Sequence, residues 1–111
     1  MPESQPVDGF RLAYDRHGSG PPVVLLHGWP GLRSDQSEVA RVLEGEADVI
    51  VPDLRGFGES YDPANAGAPL EAYTGEGQAA SVLGLIDELG LEQPVISGYD
   101  IGSRVAQSIA R

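Results

Sequence analysis

The sequence predicts an α/β fold, an open and mostly parallel sheet flanked by helices. Three observations carry that expectation. A short continuous apolar run at residues 22–26 reads as a strand buried on both faces, and Ala47-Asp-Val-Ile-Val51 as another buried strand. Val82, Leu85, Ile86 and Leu89 recur at helical spacing and are followed by Gly90. Strand and helix signals alternate along the whole chain, the pattern that builds parallel sheets.

Taken in order, Gly9-Phe-Arg-Leu-Ala-Tyr14 alternates apolar and polar residues and suggests an early antiparallel strand, with a turn over residues 15–20. The strand at residues 22–26 follows. A helix is expected to start near Ser34 or Asp35, with Asp35 and Glu38 spaced as a capping box and Val39, Val42 and Leu43 as its apolar stripe. Residues 47–51 give the next strand. Residues 52–73, rich in Gly, Pro and Asp, read as a long loop region without a period. A helix is expected over residues 77–89, then a strand at residues 94–97. A last helix places Ile101, Val105 and Ile109 on one side. One domain, residues 1–111, without an internal repeat accounts for the length.

Composition excludes several function classes. Seventeen acids against seven bases give a net charge of −10, which disfavours nucleic acid and anionic membranes as partners. The absence of cysteine removes disulfides, thiolate metal sites and a cysteine nucleophile. The acids show no metal-ligand spacing, so no metal or other cofactor is expected. No basic and apolar leader and no run of membrane-spanning length occurs, so a cytoplasmic location is the expectation. Gly75-Glu-Gly-Gln-Ala-Ala80 fits a dinucleotide-binding spacing but follows no buried strand, and no Gly-x-Ser-x-Gly occurs.

The chemistry concentrates in Gly98-Tyr-Asp-Ile-Gly102, where a strand turns directly into a helix. Such an elbow needs small residues at Gly98 and Gly102 because its central side chain sits on a sharp, strained backbone. At its apex Asp100 would be a carboxylate nucleophile, giving an ester with carbon electrophiles. Asp is also a common helix cap, and that plainer role stands beside the first. Two more segments bear on the choice. In His27-Gly-Trp-Pro-Gly31 the backbone N–H of Trp29, with that of Ile101 after the elbow, could form an oxyanion hole; His27, Gly28 and Pro30 shape the loop. In Asp53-Leu-Arg-Gly-Phe-Gly-Glu-Ser60 the glycines and Ser60 shape a turn, while Asp53 and Arg55 pair with each other or with neighbouring loops.

These three segments, in this order and spacing, resemble the N-terminal half of an α/β-hydrolase-fold enzyme, over nearly the whole chain from Phe10 to Arg111. Aspartate at the apex is similar to the branch of epoxide hydrolases and haloalkane dehalogenases, and His27-Gly-Trp-Pro-Gly31 is most similar to epoxide hydrolases. The resemblance implies attack of Asp100 on an epoxide carbon, protonation of the opening oxygen by cap tyrosines, and hydrolysis of the ester by water that a histidine activates. The product would be a vicinal diol, and no cofactor is implied. Haloalkane dehalogenases usually carry Trp after the nucleophile and Asn after the His-Gly pair, where this chain has Ile101 and Trp29. Fluoroacetate dehalogenases typically carry Arg at the position of Ile101. A haloalkane or haloacid dehalogenase is therefore the alternative, and a non-catalytic fragment or binding module a further one. Both histidines, His17 and His27, precede Asp100, whereas the family order puts the acid and the histidine after it. The remaining half of the hydrolase, in cis or as another chain, is expected to supply them, and the strand at residues 94–97 is expected to leave an unpaired edge.

Overall fold

The computed structural model describes residues 2–110. Strands β1 (Tyr14–Gly18), β2 (Pro22–Leu26), β3 (Asp48–Pro52) and β4 (Val95–Gly98) form one sheet in the order β1-β3-β2-β4. β2 pairs in parallel with β3 and β4, while β1 runs antiparallel to β3. Helices α1 (Ser37–Leu43), α2 (Gly75–Leu89) and α3 (Ile101–Ala110) connect and follow the parallel strands.

Period-two side-chain alternation divides the core between the two faces of the sheet. Val24, Leu26 and Ile50 join Leu12, Leu54, Val82, Leu85 and Val105 on the face covered by α2 and α3. Leu25, Val49 and Val51 join Ala40 and Ala47 on the face covered by α1. This two-sided burial is why residues 23–26 in β2 and 49–51 in β3 are unbroken apolar runs. From β2 the chain crosses to β3 on one side, and from β3 it crosses back over β2 to β4 on the other. The sheet therefore reverses its winding at β2, the point where open α/β sheets place their sites, outside the carboxyl ends of the strands.

β2 and α2 fall where the sequence puts them; α2 starts two residues earlier, capped by Thr74 Oγ1 on the Gly77 N–H, and ends at Gly90 in a left-handed conformation. Three expectations are corrected. The first strand is Tyr14–Gly18 rather than residues 9–14, which instead form isolated bridges with residues 3–7. Phe10, Leu12, Ala13 and Tyr14 are all buried, so the alternation there does not mark a two-faced strand. On α1 the expected stripe is partly displaced: Leu43 packs against the core as expected, but Val42 is 80% exposed and Val39 is exposed too, while Ala40 and Gln36 are buried. The small Ala40 packs close to the sheet, and Gln36 meets the Leu26 carbonyl at 3.2 Å through its side-chain amide. Asp35 does not open the helix either; its carboxylate reaches back to the Leu32 N–H at 3.0 Å, closing the short 3-10 turn before α1.

The loop region after β3 contains three 3-10 turns, at Gly58–Ser60, Pro63–Asn65 and Leu70–Tyr73. β4 pairs with β2 alone and forms an edge of the sheet among the described residues, with Val95 exposed on it. Among these residues no helix is long and apolar enough to cross a membrane.

Candidate active site

Because β2, β3 and β4 are parallel, the loops beginning at His27, Asp53 and Tyr99 open at the same end of the sheet. β4 turns into α3 through Tyr99 and Asp100. Asp100 has φ +54°, a left-handed backbone that costs a non-glycine residue about 1–2 kcal/mol. Close packing holds this bend. A Cβ on Gly98 would lie 2.4 Å from the Gly102 carbonyl oxygen, and one on Gly102 would lie 2.6 Å from those of Leu26 and His27. Gly28 faces the Tyr99 ring and the Asp100 Cβ at similarly short range. Glycine at these three positions lets the elbow press against the end of β2.

The Asp100 carboxylate is exposed and accepts the backbone N–H of Trp29 through Oδ2 at 2.9 Å. Its other oxygen has no partner among the described residues. A capping Asp has extended backbone and bonds to amides of its own helix. Asp100 has neither feature: the Ser103 N–H goes to its carbonyl oxygen, and its side chain points to another loop. Ile101 is the first residue of α3, where a helix leaves its N–H groups without intrahelical partners, and it follows Asp100 directly in the chain.

Trp29 and Pro30 are joined by a cis peptide bond. His27, fully buried, holds the start of their loop. Leu54 N–H donates to His27 Nε2 at 3.0 Å, which makes Nε2 the acceptor and leaves Nδ1–H to donate to the Gly28 carbonyl at 2.8 Å. The ring also meets Phe57 edge-on, with centroids 5.0 Å apart. With both nitrogens engaged, His27 ties down loop backbone. His17 lies on β1, at the opposite edge of the sheet from β4.

Asp53 and Arg55 pair with neighbouring loops rather than with each other. Asp53, 1% exposed, binds the Arg33 guanidinium and accepts the N–H groups of Arg33 at 2.6 Å and Glu59 at 3.0 Å. Arg33 also reaches Glu59 at 2.5 Å and Asp15 at 3.1 Å. Partial burial acts to lower the Arg33 pKa, but the hydrogen bonds to Glu59 and Asp53 and the charges of Asp53 and Asp15 outweigh it, so the guanidinium is held above its usual range. Arg55, also 1% exposed, donates to Ser81 Oγ at 2.6 Å, to the carbonyls of Ala72 and Val7 and to Asp8, and stacks on Phe10. Ser60 donates to the Asp53 carbonyl and accepts the Ala13 N–H.

Beside the elbow a cleft of about 630 Å³ is lined mainly by Trp29, Phe57, Tyr61, Tyr73 and Ile101. A larger hollow of about 810 Å³ lies elsewhere, at the N-terminal end of α2, and does not include the elbow. Sequence reasoning passed over Arg33 and Phe57 at this end of the sheet; Arg33 carries no local signal, since its partners are 18 to 26 residues away.

Three strand-end loops converging on a left-handed carboxylate elbow define a hydrolase-type scaffold, and the α/β hydrolase fold family profile matches residues 21–111, so the chain belongs to that family. Within it the similarities fall on the epoxide hydrolase branch. The chain is 36% identical over 100 residues to a soluble epoxide hydrolase of Corynebacterium sp. strain C12, covering 90% of this chain and 33% of that protein. It is 38% identical over 94 residues to a fluoroacetate dehalogenase of Burkholderia sp., covering 84% and 30%. A solved epoxide hydrolase without ligand superposes with a TM-score of 0.85 at 34% identity, over 96% of this chain and 36% of that one. The chain thus spans about a third of the length of the curated relatives it matches.

Proposed function

We propose that the enzyme containing this chain is a cytoplasmic epoxide hydrolase and that Asp100 is its nucleophile. The observation that carries the reading is the Trp29 N–H on Asp100 Oδ2 at 2.9 Å, on an elbow whose left-handed backbone serves no capping role. With Oδ2 held, Oδ1 is the oxygen free to attack. It forms a bond to one epoxide carbon while that carbon's bond to the ring oxygen breaks, and a donor from the cap protonates the released oxygen.

The ester left on Asp100 keeps Oδ2 as its carbonyl oxygen. Water, deprotonated by a histidine, then attacks Cγ, and the charge developing on Oδ2 meets the N–H groups of Trp29 and Ile101. Collapse breaks the Cγ–Oδ1 ester bond; the histidine returns its proton to the leaving alkoxide, and a diol departs. His27 cannot serve as this base while Leu54 N–H occupies its Nε2. The base, its acid and the cap tyrosines therefore belong to the remaining half of the hydrolase, in cis or on another chain.

The cleft supports a small, neutral, apolar substrate. Its one charged lining residue among those described, Arg55, spends its donors on Ser81, Ala72, Val7 and Asp8. The fluoroacetate dehalogenase relative favours a second reading, halide displacement from a haloacid by the same Asp100. Among the described residues the cleft offers that substrate's carboxylate no uncommitted cation. A binding module remains the non-enzymatic alternative, and Asp100 as a mere cap does not fit its geometry.

Incubating the complete enzyme with an aryl or alkyl epoxide, and separately with a haloacid, distinguishes the readings. Diol from the epoxide, lost in Asp100→Ala, is the expected result. Halide release without diol, or diol formation that survives Asp100→Ala, contradicts it.

A further inference from the structure

Asp53 and Leu54, the first two residues after β3, hold both ends of the loop that presents Trp29. At one end the Leu54 N–H donates to His27 Nε2 at 3.0 Å; at the other Asp53 Oδ1 accepts the Arg33 N–H at 2.6 Å. Between these anchors the side chain of Trp29 has little to fix it, because the residue is 66% exposed. The position of its N–H against Asp100 is therefore set by the ends of its loop.

Asp53 is built for that task. Its buried carboxylate receives the Arg33 guanidinium and the N–H groups of Arg33 and Glu59, a charge-assisted and nearly saturated set. Its own backbone is fixed too, by its N–H on the Ala13 carbonyl and by Ser60 Oγ on its carbonyl oxygen. Gly58, at φ +50°, leaves the carboxylate room, since a Cβ there would lie 2.5 Å from Oδ2. Arg33 extends the grip by binding Glu59 and Asp15.

We infer that Asp53 and Arg33 are positioning residues for the oxyanion donor: their ion pair fixes the His27–Arg33 loop so that Trp29 N–H meets the Asp100 carboxyl group. The inference rests on the proposed role of Trp29 in ester hydrolysis, but the Trp29–Asp100 contact can be read independently of any substrate. A backbone N–H bound to a carboxylate resonates downfield, so the Trp29 amide proton reports that contact directly.

The test uses Asp53→Asn, Arg33→Ala and the gentler Arg33→Lys in the complete enzyme. The Trp29 resonance is expected to move upfield in the first two and less far in Arg33→Lys, while the amides of Val24 and Ile50 in the sheet stay in place. In turnover, a weakened oxyanion donor slows ester hydrolysis but not ester formation, so kcat and KM fall together by about tenfold and kcat/KM holds. Simple loss of folded enzyme would lower kcat at constant KM. An unmoved Trp29 resonance in the folded variants, equal movement of the sheet amides, or a fall in kcat at constant KM overturns the inference. Movement of Trp29 as described in an enzyme that opens no epoxide would leave the positioning role standing and reject the substrate.

Discussion

The N–H of Trp29 donates to Oδ2 of Asp100 across 71 residues of sequence, joining the loop after β2 to the elbow after β4. The contact exists because β2 and β4 are parallel neighbours in register, with Leu26 opposite Gly98, so their carboxyl ends emerge side by side. It divides the carboxylate into a held oxygen and a free one. That division suits a group that first attacks and then accommodates an oxyanion.

Strain at the elbow separates activity from stability. Asp100→Gly and Asp100→Ala both remove the bond from Trp29 N–H and abolish turnover, but only glycine relieves the left-handed backbone at φ +54°, so Asp100→Gly is expected to be more stable than Asp100→Ala by about 1 kcal/mol. Thermal unfolding of the two inactive variants checks it, and equal midpoints would show that the backbone is not strained.

Gly98→Ala and Gly102→Ala are each expected to destabilise by about 3 kcal/mol, because a methyl group would collide with backbone carbonyls that cannot move aside. Gly45→Ala, where no atom lies within 4 Å of the added Cβ, serves as the control and should leave the denaturation midpoint in place.

Removing the His27 ring strands the Leu54 N–H in the interior and takes away the contact with Phe57. His27→Ala should therefore cost about 3 kcal/mol in denaturant unfolding. A near-neutral effect would contradict the structural role assigned to this histidine.

Arg55→Lys is expected to behave as a disruptive change. Lysine cannot reproduce a planar fork that serves Ser81, Ala72, Val7 and Asp8 together, so about 3 kcal/mol should be lost. The loss should be visible in the unfolding midpoint at any substrate concentration.

Much of the scaffold was legible because burial on both faces leaves an unmistakable pattern. β2 needed only Pro22-Val-Val-Leu-Leu26, and α2 only its spaced apolar residues with Gly90 after them. The elbow was legible because its two glycines have a steric reason that repeats in any chain with this bend. The α1 face was not, since Ala40 wins the buried side by being small, and Val39 and Val42 by size alone looked like better core. Arg55 was equally hidden, as arginine is rarely buried. A signal did exist in Gln78 and Ser81, polar residues on the buried face of α2 that required a polar partner: Gln78 Oε1 accepts the Arg55 N–H and Ser81 Oγ accepts Arg55 Nε. The Asp53–Arg33 pair joins two loops through tertiary contact alone, which local pattern does not encode.

If Asp100 attacks carbon and is regenerated by water attacking its own Cγ, oxygen from solvent enters the enzyme and not the first diol. A single turnover of the complete enzyme in ¹⁸O-water, with enzyme in excess over epoxide, follows that oxygen. Unlabelled diol and one ¹⁸O in the peptide containing Asp100 are expected. Label in the diol with none in Asp100 would mean that water opens the epoxide itself and that Asp100 is not the nucleophile.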